Sequence, residues 1–330
     1  MISRTSRALM VHEADGPLRM TQLAPPEPGP GEVLVRIHAS GVNPLDLKIR
    51  AGAAAHARQP FPAILGMDLA GVVEKVGTDV SSFTPGDEVW AMAGGVAGVP
   101  GSLADHAVVD ARLLARKPAS LTMREAAALP LVVITAWEGV VDRLGVRGGE
   151  TVLVIGGAGG VGHVALQLAR SRGATIFGVG RPEAAEYLRS IGATPISRGA
   201  EVERYVDDQT AGRGFDAVYD CVGALDEAFK AVRRYGRVTS SLGWGVHALA
   251  PLSFRCATYA GVFTLLPLLT GEGRETHGRI LAEAAALVDA GELRPRLDDR
   301  RFTLDQAEEA HVLVREGANR GKVVIELTEP

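Results

Sequence analysis

Cysteine is almost absent from this chain: Cys221 and Cys256 are the only two in 330 residues. Two thiols cannot build a disulfide framework, so the fold must rest on an apolar core, and a reducing compartment such as the cytoplasm is expected. No excess of positive charge is present either. The net charge of -4 and a pI near 6.1 give no footprint for nucleic acid or for an anionic membrane. Long apolar runs are missing too. Residues 151–169 carry no charge, but they are rich in glycine and read as strand, turn and helix, which cannot satisfy their backbone in lipid. Residues 256–271 are uncharged but short, and Pro267 breaks them. The opening Met1-Ile2-Ser3-Arg4-Thr5-Ser6-Arg7 has no apolar stretch of the signal-peptide kind.

Glycine is what the chain has in plenty, with 40 copies, so its placement carries information. The length suits one large or two ordinary domains. Roughly the first hundred residues read as β-rich. In residues 32–38, Val33, Val35 and Ile37 alternate with Leu34 and Arg36, and residues 69–76 and 88–92 form further short strands. The turn Pro85-Gly86-Asp87 introduces the last of these. Near Thr122 the pattern changes. Thr122 with Glu125 makes a capping box that opens a helix over 124–129, interrupted by Pro130, and a second helical stretch covers 132–144. Strands at 151–155, 175–179, 217–221 and 237–241 then alternate with helices at 160–172, 183–191 and 225–234. That alternation predicts an α/β fold with a doubly wound parallel sheet. Two more helices, 279–290 and 304–316, and a strand over 322–327 close the chain.

Gly157-Ala158-Gly159-Gly160-Val161-Gly162 satisfies G-x-G-x-x-G. In a glycine-rich chain the string alone is weak, and its context gives it weight. An apolar strand (Thr151-Val152-Leu153-Val154-Ile155) precedes it, and a helix with Val161, Val164, Ala165, Leu168 and Ala169 on one face follows. A pyrophosphate sits against exposed backbone N–H groups at a helix N-terminus, and side chains larger than hydrogen would hold it off. These residues are therefore read as a nicotinamide dinucleotide site. An acid that binds the ribose hydroxyls of NAD is expected about 20 residues after the first glycine. Here the second strand ends in Gly178-Val179-Gly180-Arg181, with no acid between Glu150 and Glu183. Arg181, helped by Arg198, suits the 2′-phosphate of NADPH, while Glu183 keeps NADH open.

Two dehydrogenase chemistries lack their residues. The tyrosine–lysine pair of short-chain enzymes needs lysine four residues after tyrosine, but the five tyrosines are followed there by Ile191, Gln209, Gly223, Thr239 and Phe263. Catalytic zinc needs thiolate, imidazole or carboxylate ligands about one open position. Neither cysteine lies in the first 220 residues, and the eight histidines are scattered, so no metal is expected.

Several stretches occur in a telling order: Gly41-Val42-Asn43-Pro44-Leu45-Asp46, Gly66-Met67-Asp68-Leu69-Ala70-Gly71-Val72-Val73, Pro85-Gly86-Asp87-Glu88-Val89, Leu129-Pro130, Thr135-Ala136-Trp137, and the glycine loop. Together they resemble the medium-chain dehydrogenase/reductase superfamily, within it the zinc-independent quinone oxidoreductase and enone reductase branch. The resemblance implies a GroES-like β-rich catalytic domain, residues 1–123 plus 268–330, with a Rossmann cofactor domain inserted at 124–267. It implies a homodimer paired through the region of residues 256–271. Asn43 falls where zinc-dependent relatives carry a cysteine ligand, and Met67 where they carry a histidine. By the same resemblance Asn43 lines the substrate pocket, Thr135 approaches the nicotinamide, and Val222 and Leu242 lie on loops that border the cofactor. Asn319, just before Gly321-Lys322-Val323-Val324, matches an asparagine that touches it. Many members of the branch have a tyrosine a few residues after the asparagine, whereas this chain has Lys48 near that place.

Hydride arriving at a quinone or an α,β-unsaturated carbonyl drives negative charge onto the carbonyl oxygen, so without zinc a hydrogen-bond donor must face it. Asn43 and Lys48 are the candidate donors. Asn43 before Pro44 also suits a plain turn cap, and Lys48 a surface position. Two further readings share these features: an NADPH-binding sensor or structural protein with little turnover, and an alcohol dehydrogenase with unorthodox metal ligands.

Overall fold

The structure, a computed structural model, describes residues 5–328, so part of the opening Met1–Arg7 stretch lies outside the described residues. The chain divides into two compact units, Met1–Leu131 with Leu265–Gly291 and Pro295–Pro330, and Val132–Thr264 with Glu292–Arg294.

The first unit opens with strands β1 (Ser6–Val11), β2 (Arg19–Leu23) and β3 (Glu32–Gly41), then helix α1 (Pro44–Arg50). Strands β4 (Ala63–Ile64), β5 (Asp68–Val76), β6 (Glu88–Met92), β7 (His106–Asp110) and β8 (Ala115–Arg116) follow, and then α2 (Met123–Ala127). The ten-residue β3 is central. It pairs antiparallel with β5 and β7, and its C-terminal end is reserved for the last strand of the chain. Leu34 and Ile37 of β3, Leu69 of β5, and Trp90 and Met92 of β6 are buried in the core, and β3 buries Val33, Leu34 and Val35 in succession rather than on one face alone. Thr122 and Glu125 make the expected capping box of α2, which packs against β3 and β5.

Helix α3 (Pro130–Trp137) starts in the first unit and carries the chain into the second, which runs β9 (Thr151–Ile155), α4 (Gly160–Ser171), β10 (Thr175–Gly180), α5 (Ala185–Ser190), β11 (Thr194–Ser197), α6 (Val202–Thr210), β12 (Phe215–Asp220), α7 (Leu225–Ala231), β13 (Val232–Ser240), α8 (Ala250–Ser253) and β14 (Thr258–Gly261). Its six strands are all parallel, in the order β11-β10-β9-β12-β13-β14. This is the doubly wound order, whose switch point lies between β9 and β12, where ligands bind at the carboxyl ends of the strands. Strand β9 is apolar almost throughout and buried from Val152 to Ile155, the pattern of an inner strand of a parallel sheet. Phe177 and Phe215 meet edge to face at 5.1 Å within the core cluster that includes Leu153, Val218 and Phe229.

The chain then returns to the first unit with α9 (Leu266–Thr270), α10 (Arg274–Asp289), β15 (Phe302–Thr303), α11 (Ala307–Arg315) and β16 (Val324–Glu326). Strand β16 pairs antiparallel with the end of β3. Pro130 does not interrupt a helix but starts one, since its fixed φ and missing N–H suit the first turn. The predicted stretch at 132–144 is α3 followed by a π-helical segment, Glu138–Arg143. No helix among the described residues is long and apolar enough to cross a membrane.

Candidate active site

In the second unit the glycine loop joins β9 to α4. A Cβ at Gly157 would stand 2.9 Å from Gly178 Cα and 3.0 Å from Leu166 Cδ1, and one at Gly162 would collide with the Gly156 carbonyl oxygen. Glycine at these positions thus lets the helix start press against β9 and β10. The first intrahelical bond runs from His163 N–H to the Gly159 carbonyl, so the N–H groups of Gly160, Val161 and Gly162 have no acceptor four residues back. No side chain caps the helix at Gly159. This bare, positively polarised end fits a pyrophosphate, and Ala158 and Val161 flank it half-buried.

Arg181 directly follows β10, and Arg198 directly follows β11. Backbone pins them to one edge of the sheet, since Arg198 N–H donates to the Gly180 carbonyl at 2.6 Å. Both side chains are exposed, and among the described residues neither pairs with a carboxylate.

The loops after β12 and β13 are tied together by Asp220, which is fully buried. Its Oδ1 accepts from the N–H groups of Val222 (3.0 Å) and Ala224 (2.9 Å). Ser240 Oγ donates to its Oδ2 at 2.8 Å and accepts from Leu242 N–H at 3.0 Å. Val222 therefore stands exposed on a fixed loop rather than a loose one. Thr135 is buried on α3, where its carbonyl accepts from Tyr219 Oη (2.8 Å) and its hydroxyl from Thr264 Oγ1 (3.0 Å).

In the first unit Asn43 caps α1. Pro44 restricts Asn43 to extended backbone (φ -121°, ψ 147°) and fills the first helical position. Asn43 N–H donates to Asp46 Oδ2 at 2.8 Å. Its side-chain Nδ2 donates to Asp68 Oδ2 at 2.9 Å, and its Oδ1 accepts from Lys322 Nζ. Lys322 Nζ also donates to the Val42 carbonyl at 3.0 Å and lies 3.9 Å from Asp68 Oδ2, while Asp68 Oδ1 accepts from Leu131 N–H at 2.8 Å. Asn43, Asp46, Asp68 and Lys322 are 1%, 2%, 0% and 7% exposed, so the charges here lie out of water. Burial pushes the Asp46 carboxyl up to about 7 and the Asp68 carboxyl up to about 6, the latter against the pull of Lys322. Burial also lowers the Lys322 ammonium, against both carboxylates.

Lys48 takes no part in this cluster and stands exposed on α1. The buried cation is Lys322, which the sequence reading quoted only as part of a motif. Its neighbour explains that motif: a Cβ at Gly321 would stand 2.5 Å from the Leu297 carbonyl carbon, so only glycine lets the chain lie against 296–298. There Lys322 N–H donates to the Arg296 carbonyl and Asp298 N–H to the Lys322 carbonyl. Asn319 is half-buried, with Nδ2 committed to the Gly321 carbonyl at 2.7 Å.

The donor set does not fit zinc. Asn43 offers an amide already held at both ends, Met67 a buried thioether, and Asp68 a carboxylate engaged by an ammonium and two N–H groups. Among the described residues no group of three or more His, Cys, Asp or Glu is arranged to hold a metal ion.

Comparison with known proteins sets these features in a wider context. The profile of the Alcohol dehydrogenase GroES-like domain matches residues 29–119, and that of Zinc-binding dehydrogenase matches residues 191–325. A 2-methylene-furan-3-one reductase of Solanum lycopersicum is 33% identical over 92% of this chain and 74% of its own. The mitochondrial NAD(P)H oxidoreductase RTN4IP1 of Mus musculus is 33% identical over 90% of this chain and 82% of its own. Among solved structures, an alcohol dehydrogenase superfamily protein from Novosphingobium aromaticivorans is 55% identical, with a TM-score of 0.97 over 98% of this chain and 100% of that one.

Proposed function

The chain belongs to the medium-chain dehydrogenase/reductase superfamily, in its quinone oxidoreductase and enone reductase branch, and from that premise we propose that it reduces a quinone or an α,β-unsaturated carbonyl with NADPH and without zinc. The observation that carries this reading is the bare N-terminus of α4 at the glycine loop, with two unpaired guanidinium groups, Arg181 and Arg198, at the ends of the neighbouring strands. The backbone N–H groups of Gly160, Val161 and Gly162 receive the pyrophosphate, and Gly157, Ala158 and Gly159 leave room for it. Arg181 and Arg198 receive the 2′-phosphate. Thr135, Val222, Leu242 and Asn319 border the rest of the dinucleotide. When bound, the cofactor supplies the hydride.

The first unit supplies the hydrogen-bond donor for the substrate oxygen. Asn43 Nδ2 has two hydrogens, of which Asp68 takes one, and the other is the donor assigned to the oxygen that gains charge. Lys48 is the alternative donor. The tomato relative is named for reduction of an exocyclic enone, which supports an activated alkene as substrate. Two cysteines, both free thiols, support a reducing compartment, and we assign the protein to the cytoplasm.

The test is loss of reduced-nicotinamide absorbance on adding a panel of quinones and enones to purified protein with NADPH. Steady turnover with at least one acceptor class is expected. If NADPH binds tightly and no acceptor consumes it, the sensor reading replaces this one.

A further inference from the structure

Asparagine amides reverse easily, because nitrogen and oxygen are nearly the same size. At Asn43 the surroundings forbid the reversal. The reversed amide would turn its NH₂ toward the Lys322 ammonium and its carbonyl toward the Asp68 carboxylate, which is repulsive at both ends. In the arrangement found, a cation meets the carbonyl and an anion meets the NH₂, and both contacts are charge-assisted. Lys322 in turn has little freedom. Its backbone is bonded on both sides to residues 296–298, Val42 N–H donates to the neighbouring Val323 carbonyl, and Nζ returns to the Val42 carbonyl. The ammonium therefore holds the chain just before α1 at two points, the Val42 main-chain carbonyl and the Asn43 side chain.

We propose that Lys322 is a positioning residue for the reduction: its ammonium locks the Asn43 amide with Nδ2 as the donor end and leaves one N–H of fixed direction for the substrate oxygen. This rests on the role given to Asn43 above. Lys322 touches neither substrate nor cofactor in this scheme and acts through Asn43 alone. Its effect is orientation, the factor that separates a hydrogen bond present in the transition state from one formed only part of the time.

The chain holds only two asparagines, Asn43 and Asn319, so the full-length protein labelled with ¹⁵N-asparagine gives two side-chain amide pairs, and Asn319→Ser identifies which is which. The Asn43 pair should show two well-separated, exchange-protected protons. In Lys322→Met that pair should collapse toward the averaged, fast-exchanging pattern of a free amide. The kcat for an accepted enone should fall about tenfold or more, with the KM for NADPH held within about twofold. Combining Lys322→Met with Asn43→Ala should slow the enzyme no further than Asn43→Ala alone, because a residue that acts only through Asn43 has nothing left to position. Unchanged Asn43 signals in Lys322→Met, or losses that multiply in the double variant, would overturn the proposal. If Lys322→Met does not fold, Lys322→Met with Asp68→Ser removes one charge of each sign without adding a third asparagine, and the same free-amide pattern at Asn43 is expected. A fixed Asn43 pair in that variant would also overturn it. If the unaltered protein reduces no acceptor, the functional reading fails, while the amide spectra still decide whether Lys322 holds Asn43.

Discussion

Arg198 donates its backbone N–H to the carbonyl of Gly180, so the residue leaving β11 is clamped to the one that precedes Arg181. Two guanidinium groups thereby leave the same sheet edge from fixed backbone. NADPH should bind more tightly than NADH, and Arg181→Ala should cut that preference by about ten- to a hundredfold, the worth of one charged hydrogen bond. Arg198→Ala should give a smaller loss of the same kind. Dissociation constants for both cofactors check this, and equal affinity in the unaltered protein would sink the assignment.

Metal should play no part. Purified protein should hold well under one zinc per chain, and a chelator should leave activity intact, because the three candidate positions supply an amide, a thioether and a carboxylate already engaged by Lys322. Stoichiometric zinc tied to turnover would reverse this.

Stability should respond to pH through Asp46. Its carboxyl is held at about 7 in the folded chain against an ordinary value of 3.8, so the folded state binds that proton more tightly. The contribution is complete below about pH 4 and is lost as the pH rises through about 7. Asp68 pulls the same way, whereas Asp110, lowered to about 2 by its arginine partners, loses its contribution as the pH falls. Asp46→Asn keeps an acceptor for Asn43 N–H and removes the titration. Relative to it, the unaltered protein should lose on the order of 4 kcal/mol between about pH 4 and pH 8. Denaturant midpoints across that range measure the difference, and parallel pH profiles would refute it.

Gly139 offers a test of packing in the second unit. A Cβ there would enter the ring of Tyr219, which is fully buried and anchored by its hydroxyl to the Thr135 carbonyl. Gly139→Ala should therefore cost about 1–3 kcal/mol from overpacking, where an exposed helical glycine would gain from the same change. A melting temperature equal to or above that of the unaltered protein would contradict the rigid-ring argument.

Among the described residues β14 pairs only with β13, which leaves its outer edge open for another strand. A second copy pairing there gives the expected homodimer. Sedimentation should report about twice the chain mass of 34.6 kDa at micromolar concentration, and a single-chain mass would exclude it.

Where local chemistry determines structure, the sequence is legible. Thr151–Ile155 and the start of α4 at Gly160 lie where the apolar run and the glycines place them. Helix α6 went unread, because only its Val202 and Tyr205 are buried, and the strand before Arg198 has no legible bounds, because Pro195 sits inside the four-residue edge strand β11. Strand β13 begins at Val232, in a stretch expected to be helical, since pairing with Phe215 of β12 outweighs a local helical pattern. Asn43 was legible from its motif, but its partners were not. Asp68 and Lys322 reach it from 25 and 279 residues away, and nothing in local periodicity reports such pairings.

The distance between Asn43 and Lys322 along the chain also sets an order of assembly during synthesis. The second unit draws nearly all of its residues from the continuous stretch Val132–Thr264 and can close as soon as that stretch has left the ribosome. The first unit cannot, because the ammonium that balances Asp46 and Asp68 is translated only after that whole stretch. Until residue 322 emerges, those carboxyls must stay hydrated or keep their protons, and a nascent chain stalled before that point would carry a finished cofactor fold beside a half-built first unit.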